Sequence, residues 1–557
     1  MLEQDLSELF DLGNHQRKIS TSSSQAQRLF NQGLKWCYCF NQEEGVKCFH
    51  KALQYDPACV MAHWGVAYGS GPFYNYSWCD FSEPQAYKVT SYCYEHIQLG
   101  KSFAEGATDL ENQLLAALSQ RFQKPHSVSL QEFNHWDDSY ADAMRSVYQD
   151  YPQDHDVMAL FAEALMCRTP WKLWDVTRGV PPDGADTYEA LTVIEQSIAL
   201  NKAAGSAQHP AILHLHIHCT EMSDTPERAM DSANRLIDQC PDAGHMQHMP
   251  GHIYVLCGNY EKARWVSEMS IDADDKYLDY AGPYNFYTTA RCHDLHLMMY
   301  ACMFLGQFQP AIDAANKMCE TLSEEVLRHS DQPQLLHTME GYYAMKMHVL
   351  VRFGRWRNII DTPLPSDAAL YCVSTTMHHY ARGVACAALK DFDSAECQKD
   401  LFQQSVERIP ANRKFFNNLA VETLGVGEKM LDGELEYHRG NVRSAFDYLR
   451  EAVTRNDKLH YNEPWAWMHP PRHALAALLA EQGHYEEAED IYRTDLGLNN
   501  KLQRCAQHPG NVWSLHGLVE CLRVRDERTE LSVYEKKLQV ALSQSDGSVR
   551  SSCLCRS

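Results

Sequence analysis

One turn recurs along this chain and limits what can be built around it. It reads CGNYEKA at 257–263, LGQFQPA at 305–311, FGRWRNI at 353–359, LKDFDSA at 389–395, HRGNVRSA at 438–445 and EQGHYEEA at 481–488. Ala263, Ala311, Ala395, Ala445 and Ala488 fall on the same small position after it. Like segments repeated every few tens of residues imply a stack of units, each too small to bury its own apolar face. At 557 residues the chain is also too long for one ordinary core. An array of helix pairs, nearly free of strands, is therefore expected.

The first unit is AQRLFNQGLKWCYCFNQEEGVKCFHKALQYDP, from Ala26. Its small or aromatic residues fall at Gly33, Trp36, Gly45, Phe49 and Ala52, and Pro57 closes it. This resembles the tetratricopeptide repeat, two antiparallel helices with small residues at their crossing. Later units align from His155, Pro210, Gly244, Cys292, Glu340, Thr376, Val426, His469 and Gly510. The segments AHWGVAYGSGPFYN, PWKLWD, HLHIHCTE, AGHMQHMPGHIY and NEPWAWMHPPRHALAALL further resemble a long, histidine-rich tetratricopeptide-repeat family best represented in bacteria. The likeness runs from about Ala26 to Leu518. It implies an all-α fold, a helix-turn-helix α-solenoid, and no particular reaction. The expected organisation is an acidic leader over 1–25, a solenoid over 26–540 with a histidine-rich section at 210–325, and a flexible Cys/Ser tail over 541–557. Long insertions are expected at Ser70–Gln120, Arg168–Asp186 and Leu278–Arg291.

The segment His209–Tyr254 holds seven of the 28 histidines. On the repeat frame, His214 and His218 take the fifth and ninth places of a first helix, and Glu221 the twelfth. His248 and His252 take the fifth and ninth places one unit later, with His245 at the second, and Pro210 and Gly244 stand 34 residues apart. His293 and His296 take the second and fifth places of the unit from Cys292. The tetratricopeptide resemblance implies that these places line a concave groove. Residues three or four apart share a helix face, so His214 with His218 and His248 with His252 are candidate chelating pairs. Imidazoles with one carboxylate suit a transition metal, Zn, Fe, Cu or Ni, better than Mg or Ca. His216, on the opposite side of its helix, is expected in the core. Pro250 is the weak point of the frame, because proline inside a helix removes a hydrogen bond.

Glu163 takes a ninth place and is a candidate base beside Glu221. Trp171 and Trp174 in PWKLWD, and Arg472 in NEPWAWMHPPRH, are candidate substrate contacts, Arg472 having an ion pair with Glu463 as its alternative role. Two functions follow: a metal-dependent enzyme acting on a small polar substrate, or an adaptor whose groove holds a peptide or partner while the histidines pack. A net charge of -23 opposes nucleic-acid binding. No apolar run is long enough for a membrane span. The acidic MLEQDLSELF is unlike a secretory signal, so a cytoplasmic protein with reduced thiols is expected. Cys553 and Cys555 miss the prenylation position, leaving S-acylation of the tail open. Phosphate loops, dinucleotide fingerprints, HExxH and serine elbows are absent from the sequence.

Overall fold

The computed structural model describes residues 9–329, 333–547 and 549–556. Helix follows helix, and the only strands among the described residues are Lys414–Phe415 (β1) and Asn418–Leu419 (β2), an antiparallel pair. The fold is an all-α array of helix-turn-helix units. Two compact units divide it: Met1–Ile253 with Met269–Tyr287, and Tyr254–Glu268 with Thr288–Ser557. Among the described residues, no helix is long and apolar enough to cross a membrane.

The first unit runs through α1 (Ser24–Tyr38), α2 (Gln42–Tyr55), α3 (Val60–Ser70), α4 (Glu83–Ser102), α5 (Asp109–Leu118), α6 (Leu130–Asp150), α7 (His155–Met166), α8 (Thr187–Ala204), α9 (Pro210–Glu221), α10 (Met230–Leu236), α11 (Gly244–His248) and the start of α12 (Pro250–Leu256). Helix α1 packs on α2 and α3, and α7 packs on α8 and α9. Contact with the next helix and the next but one is how a stacked array buries its core. The crossing of α1 and α2 requires glycine on both sides. A Cβ at Gly33 would stand 2.9 Å from the Gly45 carbonyl oxygen, and one at Gly45 2.9 Å from that of Gly33.

The second unit contains the first half of α13 (Tyr260–Ala281), then α14 (Tyr287–Leu305), α15 (Phe308–Thr321), α16 (Glu324–His329), α17 (Pro333–Tyr343), α18 (Met345–Arg352), α19 (Trp356–Asp361), α20 (Cys372–Ala388), α21 (Phe392–Arg408), α22 (Ala420–His438), α23 (Val442–Asn456), α24 (Pro471–Glu481), α25 (Tyr485–Asp495), α26 (Val512–Val524) and α27 (Arg528–Ser543). The recurring turn has one backbone form. Gly258, Gly306, Gly354, Lys390, Gly440 and Gly483 all take positive φ just after a helix, the left-handed stop that glycine adopts at no steric cost.

Several expectations change. The insertion at 70–120 is not a loop, since α4 and α5 lie within it, each started by a hydroxyl cap, Ser82 and Thr108. Helix α13 continues to Ala281 and α14 starts at Tyr287, so only a short turn remains of the insertion at 278–291. Helices begin at His155, Pro210 and Gly244 as expected, whereas α14, α20 and α22 begin earlier than their aligned units, at Tyr287, Cys372 and Ala420. Residues 1–8 of the expected leader lie outside the described residues. The rest of the leader is packed: Phe10, Leu12 and Ile19 are buried, and Arg17 Nη1 bonds Asp154 and Asp156 at 2.9 Å each. The expected flexible tail also packs, Tyr492 donating to Ser552 Oγ at 2.7 Å and Arg556 pairing with Glu520 at 2.8 Å. Cys553 and Cys555 form a disulfide there; the other described cysteines are not in disulfides.

Candidate metal centre

Helix α9 starts at Pro210, whose missing N–H costs nothing in a first turn. It carries His214 and His218 one turn apart, with their imidazoles 4.9 Å apart between centroids. His216 is rotated about 200° from each. Its Nδ1 meets Ser232 Oγ of α10 at 2.7 Å, the core role expected of it.

His245 comes from α11. Pro250 denies the chain a continuous helix, so α11 ends at His248 and α12 starts at Pro250, with Met249 between. His245 and His248 therefore sit on a short helix of their own, and His252 on the next.

Suitable ring nitrogens of His214, His218 and His245 all lie within 4.8 Å of one another, and all three residues are buried. His214 Nδ1 donates to the Tyr38 carbonyl at 2.9 Å, and His218 Nδ1 donates to Glu221 Oε1 at 2.8 Å. Each donation places the proton of the neutral ring on Nδ1 and leaves the Nε2 lone pair free. Both Nε2 atoms are buried and have no hydrogen-bond partner. Burial, and after it the His218 ring, pushes His214 well below its ordinary pKa, and burial lowers His218. Two neutral imidazoles held by their far nitrogens are an arrangement that metal-binding histidines adopt.

Glu221 joins this trio to the remaining pair. Its other oxygen, Oε2, accepts from His252 Nδ1 at 2.5 Å, and His248 Nε2 reaches His252 Nε2 at 2.6 Å. Burial alone would raise the Glu221 carboxyl, but the His252 and His218 rings outweigh it and hold it well below the usual carboxylate range. Of the seven histidines selected from sequence, five lie in the first unit, three as a donor set and two as a hydrogen-bonded chain running from Glu221. His293 and His296 sit on α14 in the second unit, where the His296 ring is 5.4 Å from Tyr342. His214, His218, His245, His248 and His252 are all buried.

Phe40 was missed from sequence. Its ring lies 4.3 Å from His214, 5.7 Å from His218 and 5.4 Å from His245, stacked on the last two. The available signal was its place in the turn CFNQEEG, where five of the six later copies have glycine and one has Lys390. Tyr74 was missed as well; it packs 5.0 Å from His218 and 5.9 Å from Trp171, which brings Trp171 into the second layer around the cluster. Trp174 is an anchor, its Nε1 donating to the Cys219 carbonyl at 2.7 Å. Glu163 is buried and accepts from the Tyr68 hydroxyl, and burial raises its pKa. Arg472 does not pair with Glu463. Asp457 engages both ends of its guanidinium, with Nη1 at 2.6 Å from Oδ1.

No family model and no curated protein sequence matches the chain. Among solved structures, the human IFIT1 dimer with m7Gppp-AAAA is similar over 94% of this chain and 91% of that one, at 10% identity and a TM-score of 0.30. The structure of Naa15/Naa10 bound to HypK-THB is similar over 93% and 70%, at 10% identity and a TM-score of 0.22. At these scores the likeness carries nothing about function, and the tetratricopeptide-like α-solenoid stands on the chain's own recurring helix pairs.

Proposed function

We propose that this helical-repeat protein is a metalloenzyme whose transition-metal ion, Zn, Fe, Cu or Ni, is held by His214, His218 and His245 and which acts on a small polar substrate. The observation behind it is the pair of buried Nε2 lone pairs, each fixed by an Nδ1 donation on the far side of its ring. A metal held by these three nitrogen donors would have room for water or substrate and would supply Lewis-acid chemistry. Glu221 fixes the His218 tautomer and, through His252 and His248, forms a hydrogen-bonded chain suited to moving a proton. Phe40 gives the donors an apolar wall that keeps bulk water away. The burial of the rings favours a small ligand over a peptide, which would need open surface.

Elemental analysis of untagged protein tests this. About one transition ion per chain is expected. The paired variant His214→Ala, His218→Ala should lose the ion and keep its helical circular dichroism. Less than about 0.2 ion per chain in carefully purified wild type would exclude the site. A paired variant that keeps its metal would exclude these ligands.

A further inference from the structure

The second unit holds a buried guanidinium that no carboxylate pairs with among the described residues. Arg352, at the end of α18, is 6% exposed; among the described residues no carboxylate pairs with it, and its Nη2 is buried without a hydrogen-bond partner. One face is covered by Trp513, 3.8 Å from the guanidinium carbon to the ring centroid, and Trp513 spends its own Nε1 on the Met303 carbonyl. Asp495, whose field Arg352 feels, is fully engaged elsewhere. Its Oδ1 accepts from His508 at 2.8 Å, and its Oδ2 faces His473 at 2.8 Å, Ser514 at 2.6 Å and Asn511 at 3.0 Å. A buried charge with no paired anion costs several kcal/mol, and a bound anion would offset that cost.

We propose that Arg352, with His348 and His469, forms a buried binding site for a small monocarboxylate. His348 stands one turn before Arg352 on α18, and its Nδ1 lies 3.1 Å from His469 Nδ1. In that neutral pair one ring donates across the contact, and the other then carries its proton on Nε2. With His469 as the donor across the contact, His348 carries its proton on Nε2, where it can donate to a ligand. His348 Nε2 is buried with no partner. Burial pulls His348 to about 3, and burial with His348 and then Arg352 pushes His469 well below its ordinary range, so both rings are neutral at pH 7. Burial lowers Arg352 to about 9, which leaves it charged. The site thus offers one positive charge, a planar fork and one ring N–H, the complement of a single carboxylate. A phosphate dianion would leave a negative charge buried and uncompensated. Arg472, the arginine that the sequence offers first, is excluded by its pairing with Asp457.

The test uses full-length protein treated with EDTA, so that it does not depend on metal. Thermal unfolding is followed with sodium acetate, propionate or benzoate against sodium chloride and inorganic phosphate at equal ionic strength. At least one carboxylate should raise the melting temperature saturably, and chloride and phosphate should not. Arg352→Met should unfold at a higher temperature than wild type without ligand, because an unpaired buried charge is gone, and should lose the carboxylate response. Arg352→Lys keeps the charge without the fork and should bind about tenfold or more weakly. Should Arg352→Met fail to fold, His348→Gln must weaken binding for the assignment to stand. Equal responses in wild type and Arg352→Met, a response to phosphate in preference to carboxylates, or no saturable response to any of the three carboxylates would each overturn it.

Discussion

Phe40 holds a left-handed backbone, φ +58°, at the turn position where five of the six later copies have glycine and one has Lys390. An L-residue there costs about 1–2 kcal/mol, and contact with three imidazoles explains why a phenyl ring is kept in spite of it. Truncating it to alanine should cost about 3–5 kcal/mol in chemical denaturation. Phe40→Gly should nevertheless be at least as stable as Phe40→Ala, by about 1 kcal/mol, the reverse of the order at ordinary helical sites. A glycine variant clearly below the alanine variant would show that the turn is not left-handed. His216 makes the complementary case. Since its Nδ1 serves Ser232 on the far side of α9, His216→Gln should leave metal content unchanged while His214→Ala lowers it sharply. Equal losses at the two positions would undo the assignment of the helix face.

At the scale of elements, the loop at 168–186 is the one long insertion that stays without helix; Trp174 ties it to α9, Thr187 ties it to α8 and a bridge closes it on itself. Trp174 donates to the Cys219 carbonyl, Thr187 Oγ1 donates to the Leu173 carbonyl at 2.6 Å, and Asp175 bridges to Val180. Trp174→Phe keeps most of the buried ring but strands a buried carbonyl, at a cost of about 1–3 kcal/mol. Limited proteolysis of that variant should cut within 168–186 well before wild type is cut. Equal digestion rates would mean that the loop is held by other contacts. The Pro250 break acts on the same scale, dividing the helix on which His245, His248 and His252 would otherwise share one straight face.

Across the whole molecule, buried neutral histidines make stability depend on pH in one direction. Burial lowers His214 and His218 in the first unit, and lowers His296 and His348 to about 3 in the second. The unfolded chain binds protons at these rings from about pH 6.5 downward and the folded chain does not, so each loses stability as pH falls below that value. Glu221 and Asp495, whose folded pKa values are depressed, add losses of the same sign at lower pH. The melting temperature should therefore fall steadily from pH 6.5 to 5. It should fall faster in metal-loaded protein, since protons also displace the ion. A flat melting temperature between pH 7 and 5 would show that these rings are not buried neutral.

The helix-pair array, the recurring turn, the helix starts at His155, Pro210 and Gly244 and the shared face of His214 and His218 were legible in the sequence, because each depends on neighbours within about one repeat. Which groups lie opposite one another was not. Tyr38 and His214 are 176 residues apart in the chain, yet their contact fixes a tautomer. Packing decides that Asp457 engages Arg472, while among the described residues no carboxylate pairs with Arg352. The histidines share a helix face by local periodicity, but their burial, and with it their neutral state, comes from the layers folded over that face. Local spacing determined which side chains point together; tertiary structure decided what surrounds them, because desolvation and hydrogen-bond partners are set by segments distant in the chain.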